Sequence, residues 1–193
     1  MPDIRVQLFS WRGYIPIPFL AVMLLFAEPT GMSMLFGGAA ALVGEFIRFW
    51  GVAYAGSLTR VTGGVGAPQV VVAGPFAYVR NPLYLGNTLL YAGCGAMSMA
   101  LWPWLPIVAL VYFSVQYWLI VTLEEEFLAD RFGAAYLEFK RNVPRFLPRF
   151  VPWQHPSQEG QHPDWKEAAR SERRTFQAIA IVCGILIFMW ASK

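Results

Sequence analysis

The sequence predicts an all-α integral membrane protein, with about five transmembrane helices and one further helix lying along the cytosolic interface. Two observations predict it. Of the 193 residues, 56% are hydrophobic and only 14% charged, against about 25% charged in a typical soluble domain; the mean hydropathy is +0.44. Apolar runs of membrane-crossing length alternate with short polar turns, and 8 Trp, 8 Tyr and 15 Phe suit aromatic belts at two interfaces. The net charge of +3 is too small to argue for nucleic acid, and topology accounts for the basic residues.

The first apolar run, Tyr14 to Ala27, follows Arg5 and Arg12. No small-residue cleavage site follows it and several spans do, so it reads as a retained helix and not a signal peptide. Pro16 and Pro18 fall in its first turn, where a missing N–H is tolerated, and Glu28 to Gly31 make a tight turn. Met32 to Gly56 form the second run, with Glu45 and Arg48 as an i,i+3 pair on one face. Ser57 to Val79, rich in Gly and Pro, read as an extended connector. Asn81, a good helix cap, and Pro82, suited to a first helical position, open the third run to Ala100. After a turn at Leu101, Trp102 and Pro103 the fourth run reaches Leu123.

Glu124 to Lys140 then carry Phe127, Leu128, Phe132, Ala135, Tyr136 and Phe139 at three- and four-residue spacing. That stripe predicts an interfacial helix beginning at the glutamates and ended by Pro144 and Pro148. Residues 149–174 are polar, with Lys166, Arg170, Arg173 and Arg174, and Thr175 to Trp190 make a short fifth run. Cys94 and Cys183 lie in apolar runs and predict buried thiols, not a disulfide. His155 and His162 stand in a Pro- and Gln-rich loop without Cys partners, so no metal site is expected. Arg5, Arg12, Arg60, Arg80 and the cluster from Arg131 to Arg174 all fall on one side of this topology. The positive-inside rule makes that side, including the amino terminus, cytosolic.

Arg80-Asn81-Pro82 and Glu124-Glu125-Glu126 therefore meet at one membrane face, at the ends of consecutive antiparallel helices. A capped helix start beside a guanidinium favours an anion. Carboxylates at a helix C-terminus need a cation: Arg48, Arg80 or the amine of a ligand. A solvated glutamate cluster is the bland alternative.

Two segments carry a family resemblance. One is Gly74, Phe76, Arg80, Asn81, Pro82, Tyr84 and Gly86; the other is Glu124, Glu125, Leu128, Phe132, Gly133 and Tyr136, followed by Val143, Pro144 and Pro148. In order and spacing they resemble the isoprenylcysteine carboxyl methyltransferase and phospholipid methyltransferase superfamily over roughly residues 40–150. The resemblance implies a membrane methyltransferase domain over residues 1–150, with 151–193 as a basic juxtamembrane segment and final helix. It implies S-adenosylmethionine as cofactor, held by Gln69, Val70, Val71, Phe76, Asn81, Pro82, Leu83, Tyr84, Glu124 and Glu125. Arg80 and Arg48 are the candidate catalytic cations. The acceptor would be a lipid or small hydrophobic molecule drawn from the membrane. Methyl transfer from a sulfonium is a direct displacement, so positioning and exclusion of water suffice, and no metal or nucleophile signature is needed.

The chain departs from the family pattern twice. Asn81 replaces the commoner histidine and cannot titrate. Ile120 stands where isoprenylcysteine enzymes place an arginine for the substrate carboxylate. Arg48 either substitutes for that arginine or snorkels beside Glu45; both readings stand. Two other functions stay open at this level: a nicotinamide-dependent membrane reductase related to sterol reductases, and a scaffold without turnover.

Overall fold

A computed structural model describes residues 3–56 and 69–192. Its regular elements are all helical: α1 (Ile4–Trp11), α2 (Pro16–Leu25), α3 (Gly31–Ala55), α4 (Pro82–Ser98), α5 (Trp104–Phe132), α6 (Ala134–Asn142) and α7 (Trp165–Ala191), with short 3-10 turns at Gly74–Ala77 and Pro156–Gln158. The predicted fold class holds among these residues. The predicted connector falls partly outside them, since 57–68 are not described.

Among the described residues three helices, α3, α5 and α7, are long and apolar enough to cross a membrane, or four spans if the pair α1–α2 counts as one. Helix α4 has 17 residues, about 25 Å at 1.5 Å per residue, which is short of a hydrocarbon core of about 30 Å. The expected count of five is therefore not reached by length. Outward faces are apolar and exposed, with Leu35, Phe36, Leu42 and Val43 on α3 and Val108, Val111, Val115 and Trp118 on α5, as lipid-facing surfaces require.

Four boundaries differ from the sequence reading. The first run is two helices bent by 55°, because Gly13 weakens the ladder and Pro16 cannot donate to it. Helix α5 runs through Glu124–Glu126 for 29 residues to Phe132, so the glutamates lie inside a helix and not at its end. The break comes at Gly133, whose φ of 51° suits a residue without Cβ, and the predicted interfacial helix shrinks to α6. Helix α7 starts at Trp165 instead of Thr175, capped by Asp164, whose side chain accepts from the Glu167 N–H at 2.8 Å. Finally, Asn81 occupies the N-cap position of α4, but its side chain does not cap.

Helix α4 lies tightly along α3. A Cβ added to Gly44 would stand 2.6 Å from the Gly86 carbonyl oxygen, and one on Gly86 would stand 2.6 Å from that of Gly44. Small residues let membrane helices approach this closely. The amide of Asp164 donates to the Ala53 carbonyl at 2.8 Å, and Gly31 lies beside Trp190, so α7 runs antiparallel to α3 along its whole length. Met23, Met97, Leu105, Val182 and Leu186 fill the core at one end, with the free thiols of Cys94 and Cys183 half-buried around it. At the opposite end Val72, Phe76, Tyr136, Phe139 and Val143 bury the connector against α6.

Candidate functional site

Arg80 and Glu125 form the centre of a buried ion cluster. The Arg80 Nε donates to Glu125 Oε1 at 2.9 Å, and Arg145 Nη2 donates to Glu125 Oε2 at 2.7 Å. Glu125 is only 2% exposed. The second arm of Arg80 donates to the carbonyls of Lys140 and Val143, and its backbone N–H donates to the Pro144 carbonyl at 2.9 Å. Arg80 thus ties the start of α4 to the inner face of α5 and to the chain leaving α6. The Asn81 amide donates to the Arg145 carbonyl at 3.3 Å. That bond draws the side chain away from the first turn of α4 and explains the absent cap.

The three consecutive glutamates point in three directions, because neighbours on a helix are turned by about 100°. Glu126 is exposed and accepts from Arg5 Nη1 at 2.7 Å, fastening α1 to α5. Glu125 enters the ion cluster. Glu124, half-buried, accepts from the Tyr84 hydroxyl at 2.6 Å. The Tyr84 ring lies 4.7 Å from that of Tyr117, beside the cluster of Phe9, Phe113, Tyr117 and the fully buried Ile120.

Arg48 lies elsewhere. Its guanidinium pairs with Glu45 at 3.3 Å and with Glu172 of α7, and reaches Thr175 Oγ1 at 3.2 Å and Asn87 Oδ1 at 3.5 Å. The pairing with Glu45 is enlarged by a second carboxylate, Glu172, that is 1% exposed.

The connector is bonded along one edge. Gln161 Oε1 accepts from the Val72 and Ala73 N–H groups at 2.9 and 3.2 Å, and Gln161 Nε2 donates to the Val70 carbonyl at 3.0 Å. Gln158 Nε2 donates to the Val72 carbonyl at 3.0 Å. Gln69 is exposed, Val70 and Val71 are half-buried, and Phe76 is buried against α6. Leu83 bridges from that cluster to Val52, Ala53 and Ala168, with Pro82 buried beside it.

The sequence-predicted residues thus fall into three groups: Tyr84 with Glu124; Arg80, Asn81 and Glu125 around Arg145; and the connector with Phe76 and Leu83. All lie at one end of the bundle, with Arg48 in a separate group between α3 and α7. Sequence reasoning missed Arg145, Gln158, Gln161 and Glu172. Glu172 was findable, since Ala168, Glu172 and Thr175 make an i, i+4, i+7 stripe once α7 begins at Trp165.

A family model for phospholipid methyltransferases matches residues 32–135. The chain belongs to the phospholipid methyltransferase family. The matched stretch covers α3, the connector, α4 and α5 and ends in the first turn of α6, so it holds both Tyr84–Glu124 and Arg80–Glu125. The cobalt-zinc-cadmium resistance protein CzcN of Cupriavidus metallidurans is 30% identical over 155 residues, covering 75% of this chain. The chain spans about 65% of the length of that relative. No solved structure matches this methyltransferase family member. Gln158, Gln161 and Glu172 lie beyond the family match.

Proposed function

We propose that the protein transfers a methyl group from S-adenosylmethionine to a lipid or small hydrophobic acceptor at the cytosolic face of a membrane. The observation that carries this reading is the Tyr84–Glu124 pair, a half-buried carboxylate oriented by a phenol at 2.6 Å within a methyltransferase-family core. The residues present fit the cofactor. No side chain caps the start of α4, so its first N–H groups, from Leu83 and Tyr84, suit the methionine carboxylate. Glu124 suits a ribose hydroxyl or the ammonium group. Connector backbone at Gln69 and Val71 suits the base.

The cofactor supplies an activated methyl group on sulfur. The chain's own work is to hold and to exclude. Tyr84 fixes the Glu124 carboxylate, and the Arg80–Glu125–Arg145 cluster fixes the helix start on which the carboxylate site depends. Arg80 and Glu125 are therefore positioning residues in this reading. Phe76 and Leu83 seal the connector side against water. Arg48 is neutralised by Glu45 and Glu172, and Ile120 carries no charge. Neither offers a free cation to an acceptor carboxylate. The cytosolic orientation is supported by Arg5, Arg80 and Arg145 all bonding at the same end of α5.

The test is calorimetric titration of the protein in lipid nanodiscs with S-adenosylhomocysteine and, separately, with NADPH. Binding of the first alone is expected, followed by labelling of one lipid class from a membrane extract with a labelled methyl donor. Binding of NADPH alone would establish the reductase reading, and binding of neither the scaffold.

A further inference from the structure

We infer that Gln158 and Gln161, outside the family-matched core, are positioning residues that hold the connector so that its opposite edge receives the adenine base. This rests on the methyltransferase reading above. In an extended chain the polar groups of successive residues point to alternating edges. Val70 and Val72 meet the glutamine side chains, while Val71 between them meets neither; the alternation ends at the bend of Ala73, whose N–H also reaches Gln161. Gln69 and Val71 make no backbone hydrogen bond among the described residues.

The Gln161 amide shows what such an edge accepts. Its nitrogen donates to the carbonyl of Val70 while its oxygen accepts from the N–H of Val72, a carbonyl and an N–H two residues apart gripping a planar donor–acceptor pair. By that alternation the carbonyl of Gln69 and the N–H of Val71 fall, in this reading, on the other edge at the same spacing. Adenine presents the same pattern, an exocyclic N–H donor beside a ring-nitrogen acceptor.

The glutamines are built in as a fixed brace. Gln161 Nε2 also donates to the Ser157 carbonyl at 3.1 Å, and Gln158 Nε2 to the Trp153 carbonyl at 2.7 Å. The amide of Trp153 donates to the Ala77 carbonyl at 2.9 Å, and that of Asp164 to the Ala53 carbonyl at 2.8 Å. The segment is thus stitched to the connector at one end and to α3 at the other. Trp153 is stacked on His155 at 4.7 Å and packed near Phe139 at 5.7 Å.

The test measures S-adenosylhomocysteine and S-inosylhomocysteine affinities in nanodiscs for the wild type, Gln161→Ala and Gln158→Ala. Hypoxanthine swaps the donor and acceptor of adenine, so the wild type should discriminate by roughly 30-fold or more. Gln161→Ala should weaken S-adenosylhomocysteine about 10-fold and bring the two ligands close to parity; Gln158→Ala should act in the same direction, about 3-fold. A loss of stability alone would not change the ratio of two ligands. Should Gln161→Ala fail to fold, Gln158→Ala carries the test. Tighter binding by Gln161→Ala would overturn the inference, because the amide would then be filling the base's own place. An unchanged ratio in folded variants would overturn it also, with the methyltransferase reading intact. A wild type that binds neither nucleoside overturns both.

Discussion

Truncating Glu125 to alanine should be among the most damaging single changes in the molecule. The carboxylate is 2% exposed and accepts from Arg80 at 2.9 Å and Arg145 at 2.7 Å, with Lys140 Nζ at 3.6 Å. Its removal leaves two guanidinium groups and an ammonium converging on an unfilled space. Removing one partner of a buried pair costs about 3–5 kcal/mol. With a shift of roughly 2–4 °C per kcal/mol for a chain of this size, thermal unfolding in nanodiscs should fall by about 6–20 °C. Glu125→Gln, which retains an acceptor oxygen but no charge, should lose less, and adding Arg80→Ala to Glu125→Ala should recover part of the loss. The assay is tryptophan fluorescence or a thiol-reactive dye followed against temperature. A fall under about 1 kcal/mol, the range of exposed pairs, would show that the cluster is solvated and that Arg80 does not hold α4 to α5 in the way described.

Glu124→Gln should weaken S-adenosylhomocysteine by about 10-fold or more, as expected for a lost charge-assisted hydrogen bond, with stability little changed; Tyr84→Phe should weaken it less, both read by calorimetry. Arg48→Leu strands two buried carboxylates and should destabilise by about 3–5 kcal/mol; if KM for the acceptor rises and the unfolding temperature does not move, Arg48 binds acceptor instead. Gly86→Ala places a methyl group 2.6 Å from the Gly44 carbonyl oxygen and should cost about 1–3 kcal/mol, seen as a lower unfolding temperature.

The apolar runs, the Pro82 helix start and the meeting of Arg80 with the glutamates were legible because each rests on local chemistry: hydropathy, a missing N–H, a charge near a helix end. The course of α5 was not. Charge at Glu124–Glu126 reads as an exit from the membrane, yet Arg80, Arg145, Tyr84 and Arg5 satisfy the carboxylates from distant sequence and let the helix continue to Gly133. The bend before Pro16 was marked in the sequence, but proline in a first turn and proline at a break look alike without the partner helix. Gln158 and Gln161 gave no signal at all, since a glutamine in a polar loop is ordinary until the backbone it bonds is known. Asn81 shows the reverse case, a capping residue whose side chain is claimed by a carbonyl 64 positions later.

The fanning of Glu124, Glu125 and Glu126 makes this part of α5 sensitive to length in a way that composition does not reveal. Losing or gaining one residue between Tyr117 and Glu124 would rotate the tract by about 100°. One residue gained would deliver the carboxylate meant for the tyrosine to the arginines and swing the arginines' own to the surface. One residue lost would send the arginines' carboxylate to the tyrosine and the surface one to the arginines, and the shared identity of the three side chains would disguise either exchange in any alignment. Evolution of this stretch is therefore free to swap neighbours on its outer face, while an insertion or deletion within it must be answered by another in the same helix.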